Sequence, residues 1–325
     1  MSGVRDVCVI GLGLIGGSLL RAATAAGRTA FGATASEMDA DAASRQGFDV
    51  TADVAVALRR AAKQDAMVVL AVPLPAVEGV LRQVYEHASN CLLTDVTSVK
   101  GPVLDSVKRL AKWNKFVGGH PMAGSQESGW TATNPELFRG AAWVVCVEED
   151  TDLQAWAEVA QLAIDVGAHV IPLPADSHDE TVARISHLPH LFAAILATIG
   201  AQGGPLAMAL AAGSFTDGTR VAQSRPDLVR AMTEGNRAAL LPIVDEALGR
   251  LGATRGSLAS TGGLAATINA GHEGAQLFQA SKNVQRAGVR VSLTADDAKD
   301  GLIALGERGG RITAFDGDTA IGEVS

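Results

Sequence analysis

The sequence predicts an α/β protein in which a doubly wound, mostly parallel sheet is followed by an all-helical domain. In the first half, short apolar runs alternate with amphipathic stretches, which is the pattern of strands alternating with helices. In the second half, over about 176–280, the apolar runs become long and rich in alanine and leucine. We therefore expect an α/β domain at 1–173, a helical domain at 174–283 and a C-terminal tail at 284–325.

The composition favours a folded protein whose partners are small molecules and copies of itself. Of the 325 residues, 47% are apolar and 19% are charged, which is enough apolar content for a large core. The formal net charge of −8 argues against nucleic acid or an anionic membrane as a partner. The sequence shows no signal peptide and no apolar run of the ~20 residues needed to span a bilayer. We expect a cytoplasmic location and three free, buried cysteines.

The first predicted strand, 7–10, runs directly into a glycine-rich turn and a helix at 18–26. Gly11, Gly13 and Gly16 form the pattern G-x-G-x-x-G in this strand–turn–helix setting, which is typical of a Rossmann-type dinucleotide-binding domain. Gly11 would allow the tight turn, and Gly13 would let a pyrophosphate approach the backbone. Gly16 would let the helix pack closely against the strand.

Three more positions and the helix start would complete the cofactor site. The first turn of the helix, at Leu14 and Ile15, would present free N–H groups to the phosphates. Thr34 stands at the end of the second strand, where an NAD enzyme usually carries an acid for the ribose hydroxyls. Val72 and Pro73 close the central strand and would lie on the adenosine-ribose side. Because position 34 is not acidic and no arginine follows closely, both NAD and NADP fit, with NAD slightly preferred.

The other elements of the α/β domain continue the alternation. Further strands are predicted at 29–31, 66–72, 91–95, 116–117, 142–147 and 168–172. Further helices are predicted at 39–46, 77–87, 100–112 and 153–166. Ligands of open α/β sheets bind beyond the carboxyl ends of the strands, so polar residues that follow these strands are the candidate site residues.

The helical half contains segments, at 188–199 and 206–212, that are apolar nearly all round. Such helices must be buried by other helices, and a second copy of the chain would bury them. We therefore expect a homodimer formed through the helical domain, which would be a dimerisation domain. The tail is expected to contain a strand at 289–293, a helix at 295–305 and a hairpin at 311–324.

His120 is the strongest candidate for proton chemistry. It lies in the segment 118–125, Gly-Gly-His-Pro-Met-Ala-Gly-Ser, between glycines and before Pro121. A titratable ring on a stiff loop of small residues suits proton transfer, although a single histidine beside a turn is more often structural. The segment 95–98 closes the preceding strand, and its polar residues, Ser98 among them, could instead merely cap the next helix.

The helical half adds histidines and one arginine. His187 and His190 straddle a proline before an apolar helix, and we expect no metal there because no thiol or carboxylate cluster completes a site. Arg220 lies in a segment rich in alanine and glycine. Its guanidinium is either a surface charge or, in a partly desolvated pocket, a bidentate partner for a carboxylate.

Taken in order, five motifs resemble those of the prephenate and arogenate dehydrogenases of tyrosine biosynthesis. They read GLGLIGGS, DVTSVK, GGHPMAGS, SHD with SHLPH, and DGTR, and the resemblance covers about 4–280 but not the tail. It implies NAD(P)-dependent oxidative decarboxylation of prephenate to 4-hydroxyphenylpyruvate. Hydride leaves C4, the 4-hydroxyl loses its proton, carbon dioxide departs from C1 and the ring becomes aromatic. The nearest alternative is the same chemistry on arogenate.

The resemblance also implies a role for individual residues. His120 matches the catalytic histidine that acts on the hydroxyl, and Ser98 matches a serine that hydrogen-bonds the same region. Arg220 matches the arginine that binds a carboxylate. His190 and Ser125 match positions that contact the substrate.

Two positions and two other function classes qualify this interpretation. His178 matches a family histidine with a structural or supporting role, and Gln126 stands where some relatives carry a glutamate. A beta-hydroxyacid dehydrogenase would instead need a catalytic lysine in the helical half, which offers only Lys282 and Lys299 in or near the tail. A nucleotide sensor without catalytic activity would not need the histidine, serine and arginine together.

Overall fold

Two six-stranded sheets and an array of helices make up the computed structural model, which describes residues 4–112, 114–125 and 127–325. The first sheet is parallel throughout. Its strands are β1 Val7–Ile10, β2 Ala30–Ala33, β3 Val50–Thr51, β4 Met67–Leu70, β5 Leu93–Asp95 and β6 Phe116–Val117. Their spatial order is β3-β2-β1-β4-β5-β6, so the winding reverses between β1 and β4, where such sheets bind their ligands.

Helices cover both faces of this sheet, which confirms the predicted doubly wound Rossmann-type domain. They are α1 Leu14–Ala25, α2 Glu37–Arg45, α3 Val54–Gln64, α4 Val77–His87 and α5 Gly101–Leu110. Alternate residues of β1 enter two different cores: Val7 and Val9 face one, whereas Cys8 and Ile10 face the other. A strand buried on both faces is apolar at every position, as this one is.

The sequence predicted a single sheet, in which the strands after β6 would extend the first. These strands form a second sheet instead. This second sheet contains β7 Gly119–Pro121, β8 Ala142–Cys146, β9 His169–Leu173, β10 Ala287–Ser292, β11 Arg311–Asp316 and β12 Thr319–Val324. Its order is β10-β12-β11-β9-β8-β7, and only the β8–β9 pair is parallel. The first sheet stops at β6 because the next segment turns back and pairs with β8 as an antiparallel strand.

The tail has the predicted strand, helix and hairpin, and it packs on the α/β domain. The helices of this layer are α6 Leu153–Asp165 and α14 Ala298–Glu307. Strand β11 pairs with β9 at Ile312 and Val170, and the Phe315 ring lies 6.2 Å from that of Trp156 on α6. The hairpin turns at Gly317, whose φ is +57°. The tail therefore completes the second sheet.

The helical half begins with one continuous helix, 175–202, that contains a π-helical turn at Ala183–His187. Its segments are α7 Ala175–Val182 and α8 Leu188–Gln202, followed by α9 Gly204–Leu210, α10 Gly213–Thr219, α11 Pro226–Gly235, α12 Arg237–Ser260 and α13 Ala265–Ser281. The buried cluster here is small and centres on Ala183, Leu240 and Ile243.

Large apolar side chains are exposed along this helical array. Leu206, Leu210 and Leu277 are each more than 70% exposed. By length and composition alone, 175–202 is a helix that could cross a membrane, and 22% of its most apolar window is buried. We had expected no apolar run of that length. The expectation was based on uninterrupted apolar runs. In this helix, histidines and an arginine separate the apolar segments.

Candidate active site

The glycine turn after β1 is closed on one side and open on the other. A Cβ at Gly11, where φ is +100°, would lie 2.5 Å from the carbonyl oxygen of Ala71. A Cβ at Gly16 would lie 1.9 Å from the carbonyl oxygen of Gly11, so helix and turn are in direct contact. A Cβ at Gly13 would meet nothing within 4 Å. The open space beside Gly13 is where a ligand can approach the backbone.

The start of α1 faces the same open space and is available to an anion. Gly13 is its N-cap, and no side chain among the described residues caps this end. The first turn carries no acidic residue and begins at Leu14 and Ile15, both half-buried. Free N–H groups at the positive end of a helix bind phosphate, so this turn fits a dinucleotide pyrophosphate.

At the ribose end of the site, the turn after β2 is polar and its nearby charges are acidic. Thr34 is buried, and its hydroxyl accepts a hydrogen bond of 3.4 Å from the Ser36 amide. Ser36 caps α2, whose first turn carries the acidic residues Glu37 and Asp39. Beyond the end of β4, Val72 is half-buried, and Pro73 after it is exposed.

A buried ion pair fixes the backbone just before His120. The Lys100 ammonium pairs with the Asp95 carboxylate, and both side chains are almost fully buried. Lys100 Nζ also donates to the carbonyl oxygen of Gly119 at 2.6 Å, and the Gly119 amide donates to Asp95 Oδ1 at 3.1 Å. Both backbone polar groups of Gly119 are therefore held, which aims the following residue.

The simple capping explanation for 95–98 is wrong. The first amides of α5, those of Lys100 and Gly101, donate to the Asp179 carboxylate at 2.8 and 2.9 Å. Asp95 is occupied by its ion pair, so the cap comes from a residue far along the chain. Ser98 is half-buried, and its hydroxyl forms no hydrogen bond within the part of the chain that the structure describes.

His120 is linked to two residues of the helical half. Its Nδ1 lies 2.8 Å from Nε2 of His178, and Nδ1 of His178 lies 2.8 Å from Oδ1 of Asp179. Burial holds the pKa of His120 well below its usual range, and the neighbouring His178 and Lys100 lower it further. The ring is therefore neutral near pH 7 and can accept a proton.

A second buried contact joins the helical segments behind this chain of side chains. Asn236, at the start of α12, donates from Nδ2 to the carbonyl oxygen of Asp179 at 2.7 Å. The same Nδ2 lies 3.0 Å from Nδ1 of His187, which accepts its other hydrogen. Burial lowers the pKa of His187 to about 4, so this ring is also neutral near pH 7.

Arg220 and His190 lie close to each other at the end of the helical half's small-residue segment. Arg220 begins the turn after α10 and is exposed, as the first of its two sequence-based interpretations, a surface charge, requires. Burial lowers the pKa of His190, and the Arg220 charge lowers it further. His190 Nδ1 is buried without a hydrogen-bond partner among the described residues.

The loop after β7 places Ser125 at the surface. Its hydroxyl accepts a hydrogen bond of 3.2 Å from the Glu127 amide. Gln126, where a charge difference from some relatives was expected, lies outside the described residues. The described residues contain no metal-binding group of three or more histidine, cysteine or acidic side chains, and their three cysteines are free and buried.

Sequence reasoning missed three residues that build this site: Lys100, Asp179 and Asn236. Lys100 and Asp179 stand inside motifs that the sequence singled out, and these motifs were the available signal for both residues. Asn236 had no such signal, because its role depends on contacts 49 and 57 residues away in the chain.

Comparison with known proteins covers both halves of the chain. Residues 18–172 match the nucleotide-binding domain of prephenate dehydrogenase, and residues 174–260 match its dimerization domain. Prephenate dehydrogenase of Bacillus subtilis is 35% identical over 257 residues, which are 76% of this chain and 68% of that protein. Cyclohexadienyl dehydrogenase of Zymomonas mobilis is 32% identical over 276 residues, 81% of this chain and 92% of that protein.

A crystal structure of a Corynebacterium glutamicum protein superposes with a TM-score of 0.91 at 42% identity, covering 96% of this chain and 99% of the other. The similarity therefore extends through the tail that the sequence motifs do not reach. On the two domain matches and these relatives, the chain belongs to the prephenate dehydrogenase family.

Proposed function

We propose that this protein is a prephenate dehydrogenase of tyrosine biosynthesis, which converts prephenate to 4-hydroxyphenylpyruvate and carbon dioxide. The observation that carries the proposal is His120, a neutral ring held beside the carboxyl end of β5. The phosphate-binding turn lies at the carboxyl end of β1 in the same parallel sheet, so both lie at one edge. The curated relatives, named for prephenate and for cyclohexadienyl substrates, support the same reaction.

The main group that the protein must supply for this reaction is a proton acceptor. When bound, NAD or NADP supplies the acceptor for the hydride that leaves C4. His120 takes the proton of the 4-hydroxyl as hydride leaves C4, and it returns that proton to the same oxygen when loss of carbon dioxide makes the ring aromatic. The half-buried Ser98 hydroxyl hydrogen-bonds this oxygen. Departure of carbon dioxide and aromatisation provide the driving force, so orientation and a base of suitable pKa are what the protein contributes.

The helical half supplies the groups that hold the substrate. Arg220 binds a substrate carboxylate, because a guanidinium forms two parallel bonds with that group. His190 lies beside it and offers an unpartnered Nδ1 in a buried position. Ser125, exposed on the loop after His120, is the third group assigned to the substrate.

The cofactor is NAD or NADP, with NAD slightly preferred. The nucleotide would be held by Gly11, Gly13, Leu14, Ile15, Gly16, Thr34, Val72 and Pro73. Thr34 does not repel a 2′-phosphate, but Glu37 and Asp39 begin the adjacent helix, and its first turn has no basic residue. Two carboxylates that form no ion pair among the described residues disfavour the extra phosphate of NADP.

The enzyme is a cytoplasmic homodimer that associates through the helical half. Phe192, Ile195 and Ile199 are 45, 54 and 62% exposed along α8, and similar residues line α12 and α13. A contiguous apolar surface of this extent needs a cover. The match of 174–260 to a dimerization domain supports a second copy, rather than lipid, as that cover.

The two candidates for the catalytic lysine of a beta-hydroxyacid dehydrogenase form other contacts. Lys282 Nζ lies 4.2 Å from the centre of the Phe278 ring. Lys299 Nζ donates to the carbonyl oxygen of Glu149, in the turn after β8, at 2.5 Å. These contacts support the histidine-based mechanism over the lysine-based one.

The proposal is tested by following reduced cofactor with purified protein, using prephenate or arogenate with NAD or NADP. We expect prephenate with NAD to have the highest kcat/KM. NADP should be accepted with a preference for NAD below about a thousandfold, since no acid stands at position 34. Turnover of arogenate without turnover of prephenate would overturn the substrate assignment, and no turnover of either would overturn the function.

A further inference from the structure

We propose that His178 and Asp179 are positioning residues that fix the tautomer of His120 and leave its Nε2 as the proton acceptor. That Nε2 receives the substrate proton rests on the proposed function. The tautomer itself follows from the hydrogen-bond partners of three side chains, beginning at Asp179, and holds whatever the substrate is.

The Asp179 side chain is held as a carboxylate that only accepts hydrogen bonds. It receives the backbone amides of Lys100 and Gly101 at 2.8 and 2.9 Å. Burial raises the pKa of Asp179, but hydrogen bonds from His178 and these amides outweigh it, so the pKa is below its usual range. An ionised carboxylate has no hydrogen to donate.

The hydrogen between His178 and Asp179 must therefore belong to the histidine. His178 Nδ1 lies 2.8 Å from Asp179 Oδ1, so Nδ1 carries the proton. His178 is 1% exposed, and burial lowers its pKa, so the ring is neutral near pH 7. A neutral imidazole with its proton on Nδ1 has a lone pair on Nε2 and can only accept there.

The tautomer of His178 determines the tautomer of His120. Its Nδ1 lies 2.8 Å from the lone pair on His178 Nε2, so Nδ1 of His120 must donate. The His120 ring is neutral, hence its own Nε2 carries the lone pair. When the substrate O–H bond breaks, the proton forms a new bond to Nε2, and the electron pair stays on the substrate oxygen. The carboxylate of Asp179 then faces the resulting positive charge through His178.

His178 and Asp179 are neighbours on α7, and both contact residues of the nucleotide domain. Asp179 caps α5 of the nucleotide domain and orients His178 from α7 of the helical domain. Asn236 fixes the Asp179 backbone by donating to its carbonyl oxygen. The base is thus positioned by contacts that exist only when the two domains are joined.

The tautomer is measured directly by ¹⁵N NMR of the protein labelled at histidine, with signals assigned by loss in single variants. In the substrate-free enzyme near pH 7.5, we expect His120 and His178 both to carry hydrogen on Nδ1. Asp179→Ala removes the oxygen that holds hydrogen on His178 Nδ1, so neither ring keeps a fixed tautomer and His120 should show hydrogen on both Nδ1 and Nε2. The neighbouring exposed Glu180→Gln is the matched control and should change neither signal. Hydrogen on Nε2 of His120 in the unaltered enzyme would overturn the proposal.

Kinetics supply a second test, in which the His178 variants remain decisive if Asp179→Ala does not fold. We expect Asp179→Ala to lose about 10²-fold in kcat, because His120 no longer has a fixed tautomer, with KM little changed. His178→Gln can keep the order of donors and should fall only about tenfold, whereas His178→Leu should fall by the larger factor. Equal kcat in His178→Leu and the unaltered enzyme would contradict the proposal. Failure of the unaltered enzyme to oxidise prephenate would instead contradict the proposed function.

Discussion

Single residues of this site are tuned by burial and by partners of the same or opposite charge. Lys100 and Asp95 are almost fully buried as a pair, and such a pair is costly to break because one charge is then left without compensation. The nearby histidines respond in the opposite way and lose their charge, as the lowered pKa values of His120 and His187 show. The site thus combines a fixed ion pair with neutral rings that can exchange a proton.

Among single residues, Arg220 is proposed to bind a substrate carboxylate, and Arg220→Lys tests this contact. A lysine ammonium keeps the charge but cannot reproduce the planar two-bond fork. We expect KM for prephenate to rise more than kcat falls, with kcat/KM lower by about 10- to 100-fold, the value of a hydrogen bond to a charged group. Arg225→Lys is the control, because Arg225 is an exposed arginine paired with Asp227. Arg220→Ala with unchanged kinetic constants would show a surface charge.

The residue types of the site were predictable from sequence, whereas their contacts were not. His120 stood out because its glycine and proline neighbours define a stiff loop. The cap of α5 by Asp179 joins residues 78 and 79 positions apart, and no local pattern encodes such a distance. For Arg220 the sequence left both a surface charge and a partly desolvated pocket open, since local composition does not show which side chains cover it.

At the scale of elements, the turn between β1 and α1 makes separable demands on its glycines. A Cβ at Gly16 would collide with backbone, whereas a Cβ at Gly13 would enter open space. The first contact concerns the fold, and the second concerns only a ligand.

We therefore expect different defects from Gly16→Ala and Gly13→Ala. Gly16→Ala forces the helix off the turn and should destabilise the protein by about 1–3 kcal/mol, as overpacking does. Gly13→Ala should unfold at nearly the same temperature but bind NAD at least about tenfold more weakly, because the methyl group occupies the approach to the backbone. Thermal unfolding and NAD titration separate the two effects. Undiminished NAD affinity in Gly13→Ala would place the pyrophosphate elsewhere.

Element prediction succeeded where periodicity is strong and local. Helix α4 and the turn of the C-terminal hairpin lie where the sequence placed them. Strand β3 was missed because it has two residues, and helix α3 was missed with it. The second sheet was missed because antiparallel pairing of β7 with β8 depends on contacts across a long loop rather than on the strands themselves.

For the whole molecule, the helical half exposes too much apolar surface for a single chain, and substitution on α8 tests the dimer. Ile195→Arg places a charge in the proposed interface and should convert the dimer to monomer at micromolar concentration. Tyr85→Arg is a matched control, because Tyr85 is 56% exposed on α4 of the other domain. Sedimentation velocity gives the result. A monomer for the unaltered protein would contradict the dimer.

The buried histidines also predict how global stability depends on pH. Burial lowers the pKa of His187 to about 4, and those of His120 and His178 also lie below the ordinary value. As pH falls below about 6.5, the unfolded chain takes up protons first, so the free energy of unfolding decreases. This stability is complete above about pH 6.5 and is lost toward about pH 4. Urea midpoints measured across that window should fall with pH, and less steeply in His187→Gln.

The central claim is that His120 accepts the substrate proton, and one comparison of variants tests it most directly. His120→Asn should lower kcat with prephenate by about 10²–10⁴-fold, the usual contribution of a general base, and should leave the Kd for NAD unchanged. His87→Asn, on α4, controls for loss of a histidine and should retain full activity. Near-normal turnover by folded His120→Asn would contradict the account.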